Sequence, residues 1–221
     1  RDPEVRRAML DVMRFWLDKG VDGFRVDALW HVMKDAQYRD NPLDPDYVAG
    51  KMPSYAKLVP AYSGGQPELH DIVALMRHVT DQYKDRVLIG EMYLPVEELM
   101  GYYGRQRDGG LHLPYNFQLI LLPWKAVDIF AGVNRYEASL PAFAWPNWVL
   151  GNHDKPRIAT RVGIEQAKIA AMLLLTLRGT PTIYAGDEIG MRDVPVPAER
   201  RRDPAGKLPG CDQFGRDPQR T

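Results

Sequence analysis

The chain has 221 residues, 29 Lys plus Arg against 29 Asp plus Glu, 45% hydrophobic residues and a single cysteine. Zero formal net charge removes the basic footprint of a nucleic-acid binder, and the lone Cys211 excludes an internal disulfide framework and points to a reducing, cytoplasmic setting. No apolar run approaches the ~18 residues that a membrane span requires, so no membrane partner is expected.

A first helix is punctuated by Asp2 as N-cap, Pro3 in the first turn and Gly20 just past its end. Val5, Met9, Val12 and Trp16 recur at helical spacing and are expected to form its apolar, core-facing side. Residues 21–27 then read as a short strand that runs into charge at its C-terminal end. A second helix is predicted from about 67 to 83, with Leu69, Ile72, Val73, Met76 and Val79 inward, and residues 87–91 form the next strand. The alternation continues with a helix near 96–102, a strand around 115–119, a helix near 125–140 and a strand at 147–151. Residues 164–178 are apolar almost all round, as expected of a buried helix, and residues 180–184 make the last strand.

Five strands separated by helices, each strand apolar without alternation, predict a parallel α/β sheet with right-handed crossovers. The steps from Glu91 to Phe117, Phe117 to Asn152 and Asn152 to Tyr184 are 26, 35 and 32 residues, close to one βα unit each. The step from Asp27 to Glu91 is 64. Its excess lies at about 35–66, where Pro42, Pro45, Pro53, Pro60, Gly64 and Gly65 break regular structure, so an insertion is expected in a loop at the C-terminal end of a strand. Residues 191–221, rich in Arg, Asp and Pro, are expected to be an irregular excursion after the last strand.

Three acids stand at the C-terminal ends of predicted strands: Asp27, Glu91 and Asp154. In a parallel barrel such ends open on one face, so carboxylates distant in sequence converge. Convergent carboxylates suit glycoside hydrolysis, which needs one carboxylate as nucleophile or base and one carboxyl as acid, and they also suit divalent-metal catalysis. Of the five His, only His153 adjoins one of these acids, and no His-x-x-x-His pair occurs, which favours the first chemistry.

Gly23-Phe24-Arg25-Val26-Asp27-Ala28, Gly90-Glu91, Asn152-His153-Asp154 and the run from Gly179 through Tyr184 to Glu188 resemble, in order, four signature regions of the α-amylase superfamily of retaining glycoside hydrolases. Trp148 to Asp154, Leu113-Pro114-Tyr115-Asn116-Phe117 and the closing Gly215 to Thr221 resemble its α-glucosidase branch. The resemblance implies Asp27 as nucleophile, Glu91 as general acid/base and Asp154 as the third carboxylate. Arg25, two residues before Asp27, shares its strand face and is expected to hold the nucleophile ionised. Retention would require Asp27 and Glu91 to lie about 5–5.5 Å apart. Substrate contacts are implied for His153 and Arg220, and His31 occupies a position where amylases carry His, although Trp30 replaces the Lys that usually precedes it. Arg157 reads as a structural ion-pair donor, Asp187 and Glu188 as structural acids, and Trp145 and Trp148 as core.

The function implied is an exo-acting retaining α-glucosidase acting on α-glucoside oligosaccharides or disaccharides. The alternatives are a transglycosylating or isomerising relative, forming trehalose or sucrose isomers, and a non-catalytic partner protein like the α-glucosidase-like transporter heavy chains. No cofactor is expected within the chain, and a family calcium site would lie in an acidic loop that precedes it. A (β/α)8 barrel needs roughly 200 residues and eight strands. The chain therefore reads as the C-terminal part of a TIM barrel, strands 4–8 over residues 1–190, with the remaining strands, a B domain and a C-terminal β domain outside it. Because it opens on Arg1 rather than Met, a leader upstream stays open.

Overall fold

The computed structural model describes residues 1–52, 54–105, 109–195, 197 and 199, and these fall into two units. The first comprises Arg1–Asn116 and Asn134–Pro146. It opens with α1 (Pro3–Asp18), where the Asp2 carboxylate accepts the backbone N–H groups of Glu4 at 2.8 Å and Val5 at 3.4 Å. These are donors that the first helical turn cannot satisfy itself. Gly20, at φ +92°, ends the helix as its position predicts.

Next come β1 (Gly23–Val26), α2 (Leu69–Thr80), β2 (Val87–Gly90), α3 (Val96–Met100) and β3 (Leu113–Pro114). The strands form one parallel sheet in the order β1-β2-β3, with Gly23 beside Val87, Val26 beside Gly90, and Gly90 beside Pro114. At Gly23 the two strands run so close that a Cβ would stand 2.0 Å from the Val87 carbonyl oxygen, so only glycine fits. Leu29, Leu69 and Leu88 are fully buried, each contributing about 1.5–3 kcal/mol by leaving water.

The helical period correctly groups Val5, Met9, Val12 and Trp16 on one side of α1, but that side is not core. All four stay about half exposed or more, while Met13 and Leu17 are buried. The four line a groove of about 580 Å³ with Phe24 and Met33, and Ile72 and Met76 of α2, expected inward, line it too. Periodicity tells which residues share a face; it does not supply the element that covers it.

Between β1 and α2, the segment 35–66 is irregular, with isolated bridges at Leu43–Leu58 and Ala49–Met52 and one 3₁₀ turn at Ser54–Lys57. Its base is stapled. The buried Asp35 carboxylate takes two bonds from the Arg39 guanidinium and backbone N–H bonds from Gln37 and Arg39. Arg39 also stacks 4.1 Å over Tyr62, and Asn41 Oδ1 accepts the amides of Tyr62 and Ser63. The Arg39 bonds, working against burial, hold the Asp35 carboxyl down at about 2, so this staple persists above the ordinary carboxylate range and opens only as pH falls through that value.

The second unit takes Phe117–Val133 and the residues from Asn147 onward. It contains α4 (Gln118–Leu121), the start of α5 (Ala126–Ser139), β4 (Asn147–Val149), α6 (Ile158–Val162), α7 (Ile164–Thr176) and β5 (Thr180–Thr182). β4 and β5 pair in parallel, with Asn147 opposite Thr180 and Val149 opposite Thr182. Trp148 is fully buried and its indole N–H donates to the Arg178 carbonyl at 2.8 Å. Every pairing between the named strands among the described residues is parallel, three ladders in two sheets.

Three further expectations are corrected. The strand expected at 115–119 ends at Pro114, and Gln118–Leu121 is a helical turn that buries the consecutive Leu119 and Ile120. In so short an apolar run, strand and helix periods cannot be told apart. The helix α7 is not buried all round: Ala167, Ala170 and Leu174 face inward, whereas Ile169, Met172 and Leu175 are about half exposed or more. Ile169 and Met172 line a groove of about 560 Å³ with Trp124, Ile129 and Phe130. Trp145, expected in the core, precedes β4 and is 49% exposed. Among the described residues no helix is long and apolar enough to cross a membrane.

Candidate active site

The parallel register builds the first half of the site. Val26, Gly90 and Pro114 are level across β1, β2 and β3, so Asp27, Glu91 and Tyr115 come next, side by side, beyond three adjacent strand ends. Backbone bonds extend the ladder to them: Glu91 N–H donates to Val26 O at 3.0 Å and Tyr115 N–H to Gly90 O at 2.9 Å. After Asp27 the chain turns sharply through Ala28, a left-handed residue at φ 44°, into a 3₁₀ turn at Leu29–His31. That conformation is costly for a residue with a Cβ. It directs the Ala28 N–H at Glu91 Oε2, 3.0 Å away, and the Leu29 N–H at the Glu91 carbonyl, 3.1 Å away.

Arg25 reaches both acids. Its Nη1 bonds the Asp27 carboxylate and its Nη2 lies 2.8 Å from Glu91 Oε1. The two acids differ in their access to water, with the Asp27 side chain 73% exposed and that of Glu91 8%. Burial pulls the Arg25 guanidinium down, but the Asp27 hydrogen bond and the charges of Glu91 and Asp27 outweigh it, so its pKa lies above the ordinary value and it stays charged. One arginine thus ties an open carboxylate to a buried one.

Tyr115 belongs to the same group and was singled out in the sequence only as part of a strand motif. Its side chain is half-buried, and burial raises its phenol above the ordinary value against the pull of the Arg25 charge. The signal that would have found it is positional, one residue past the end of β3 and level with Glu91. His31 sits at the end of the turn after Asp27, its Nδ1 3.1 Å from the Ser63 carbonyl, which also accepts from Lys34 Nζ at 2.9 Å. A carbonyl only accepts, so His31 carries its proton on Nδ1 and anchors the end of the 35–66 segment to this turn.

In the second unit, Asn152, His153 and Asp154 lie in the loop that leaves β4, three to five residues past its end at Val149. Asn152 Oδ1 accepts the Asp154 N–H at 3.1 Å, closing a side-chain-capped turn. His153 Nε2 stands 3.6 Å from Asp154 Oδ1 and its side chain is 46% exposed. Arg157, three residues on, is buried. It donates to the Ala185 carbonyl at 2.8 Å, lies 3.5 Å from Asp187 Oδ1, and stacks 4.4 Å over Tyr184, while its own backbone N–H bonds Asp193. Burial pushes the Asp187 carboxyl up against the pull of Arg157. Glu188 Oε2 accepts the Gly186 N–H at 2.7 Å. Arg157, Asp187 and Glu188 therefore brace the loop after β5, as expected. Arg25, Asp27 and Glu91 come together in the first unit, with His31 in the turn after Asp27 but bonded to Ser63, and His153 stands beside Asp154 in the second; Arg220 lies outside the described residues.

A family model described as the alpha amylase catalytic domain matches residues 1–221. The chain belongs to the alpha-amylase family. The chain is 37% identical over 246 residues to a salivary alpha-glucosidase of Anopheles gambiae, covering 100% of the chain and 40% of that relative. With Maltase A1 of Drosophila melanogaster it shares 35% identity over 241 residues, covering 100% of the chain and 41% of the relative. Its structure is similar to that of an alpha-glucosyl transfer enzyme, XgtA, with a TM-score of 0.83 at 35% identity, covering 93% of this chain and 40% of that one. The chain thus spans about two fifths of the length of the relatives it matches. Membership of the alpha-amylase family implies the α/β architecture of a TIM barrel.

Proposed function

We propose that the protein carrying this chain is an exo-acting α-glucosidase that releases terminal α-linked glucose from oligosaccharides or disaccharides with net retention. The observation that carries the reading is the Arg25 guanidinium bridging an exposed Asp27 and a buried Glu91 beyond neighbouring parallel strand ends. The names of the alpha-glucosidase and maltase relatives support it.

In this reading the Asp27 carboxylate, kept ionised by Arg25, attacks the anomeric carbon of the terminal glucose. The bond to the glycosidic oxygen breaks as Glu91 gives that oxygen its proton, leaving a glucosyl ester on Asp27. Glu91, now a carboxylate, takes a proton from water, whose oxygen attacks the same carbon and displaces Asp27. Asp154 and His153 hold the sugar hydroxyls, and Asp154 favours the positive charge that develops on the ring. Arg220 contributes at the closed end of an exo-acting pocket, and His31 lies beside the adjoining subsite. The strands β1 to β5 are assigned as strands 4–8 of the barrel, residues 35–66 as a loop insertion and residues 191–221 as an excursion after the last strand.

A second reading is favoured by the similarity to an alpha-glucosyl transfer enzyme: the same ester is intercepted by a sugar hydroxyl instead of water. Maltose given to the complete protein and followed by proton NMR separates the readings. Hydrolysis with retention releases α-glucose first, before mutarotation. Trehalose or another isomer as main product makes transfer the primary activity, β-glucose first overturns retention, and no turnover favours a non-catalytic partner role.

A further inference from the structure

The start of β3 is fastened to β2 by a side chain where a backbone group would normally serve. We propose that His112 is an acid-releasable rung of this sheet: its neutral imidazole accepts the Leu88 N–H in place of a strand carbonyl, and a proton taken up by the ring breaks that bond. This device is independent of the reaction assigned to the site at the other end of the strands.

Leu88 is fully buried in β2, so its peptide groups need partners within the fold. His112, one residue before β3, satisfies both. Its backbone N–H donates to the Leu88 carbonyl at 3.0 Å, and its ring Nδ1 accepts the Leu88 N–H at 3.0 Å. The chain just upstream is committed elsewhere: the Gly110 carbonyl accepts Arg77 Nη1 at 3.1 Å, and the Leu111 N–H donates to the Tyr102 carbonyl at 2.7 Å. An amide N–H only donates, so Nδ1 keeps its lone pair and the proton of the neutral ring sits on Nε2.

Protonation puts a hydrogen on Nδ1, so that two N–H groups face each other and the Leu88 N–H is left unpaired out of reach of water. Little in the surroundings compensates. Nε2 stands 3.6 Å from Asp81 Oδ1, too far for a hydrogen bond, and Asp81 already takes the Arg77 Nε at 2.8 Å on each of its oxygens. Arg77 of α2 and Asp81 just past its end are the charges that bear on the ring; Arg86, from the loop before β2, pairs with Asp22 at 3.3 Å, and Tyr102, from the turn after α3, stacks on His70. Burial, and after it the Arg77 charge, hold the imidazole below its ordinary value against the pull of Asp81. The stability that this rung contributes is therefore complete above about pH 6.5 and is lost as pH falls through the lower value in the fold.

The test uses the complete protein. Exchange of the imidazole C2 hydrogen, read by mass spectrometry, gives the titration midpoint of His112, and amide exchange of the peptide containing Leu88, corrected for its intrinsic rate, is compared about one pH unit above and below that midpoint. The midpoint is expected below about 6.5, with protection of the Leu88 peptide falling about tenfold across it. In His112→Asn, whose side-chain oxygen accepts the same N–H and does not titrate, protection over the same interval is expected to change by less than about twofold. In His112→Leu, which has no acceptor, protection is expected to be about tenfold low at both pH values. A midpoint at or above about 6.5, protection unchanged across it, or an equal fall in His112→Asn overturns the proposal, as does parent-like protection of His112→Leu at the higher pH.

Discussion

Asp27→Asn, in the protein that carries this chain, is expected to cut nitrophenol release from an aryl α-glucoside by at least about 10⁴-fold while moving the unfolding temperature by no more than about 2 °C. The substitution keeps the shape of the side chain and replaces an anionic oxygen with an amide that cannot form the ester. Because the Asp27 side chain is 73% exposed, little packing depends on it. Arg25 retains Glu91 at 2.8 Å, so the buried acid does not lose its partner. Activated leaving groups give no escape from this loss, since the missing step is nucleophilic attack and not protonation. Turnover within tenfold of the parent would mean that another group attacks the sugar.

Arg25→Met carries the second large effect. The substitution approximates the aliphatic length of arginine but leaves Glu91, 8% exposed, without the cation 2.8 Å away. Asp27 loses the same cation, and with it the partner that aims its carboxylate. With the nucleophile no longer aimed, kcat is expected to fall about 10²- to 10³-fold. Stability falls by about 1–2 kcal/mol, less than for a fully buried pair because Arg25 is a third open to solvent. Steady-state kinetics measured beside thermal unfolding check both; turnover within about threefold of the parent would mean that Arg25 holds neither acid in its working place.

Much of this site could be read from residue spacing because parallel strands obey simple rules. Each of Asp27, Glu91 and Asp154 follows a short apolar run; Asp27 and Glu91 stand immediately past strands that pair in parallel, and Asp154 lies in the loop five residues beyond the end of β4. The two-residue offset of Arg25 from Asp27 put them on one face, and they are bonded there. Caps were equally legible, as Asp2 and Gly20 demonstrate, since their role depends only on local backbone geometry. What could not be read depends on partners distant in the chain. The Val5 and Met172 faces carry a correct helical period yet stay exposed in the described residues. The end of β3 at Pro114, where a missing N–H and a following helical turn cut the strand short, needs the neighbouring strand to define it. Ala28 in a left-handed turn aimed at Glu91 Oε2, and Tyr115 level with Glu91, are visible only once the register is known.

The central claim is that Asp27 becomes covalently bonded to glucose. A glucosyl fluoride slowed by a second fluorine on the ring traps such an ester, and peptide mass spectrometry of the digested complete protein then locates it. The account predicts a single added fluoroglucosyl mass on the peptide containing Asp27 and none after Asp27→Asn. A label on the peptide of Glu91 or Asp154, or rapid turnover with no label at all and β-glucose as the first product, would contradict it.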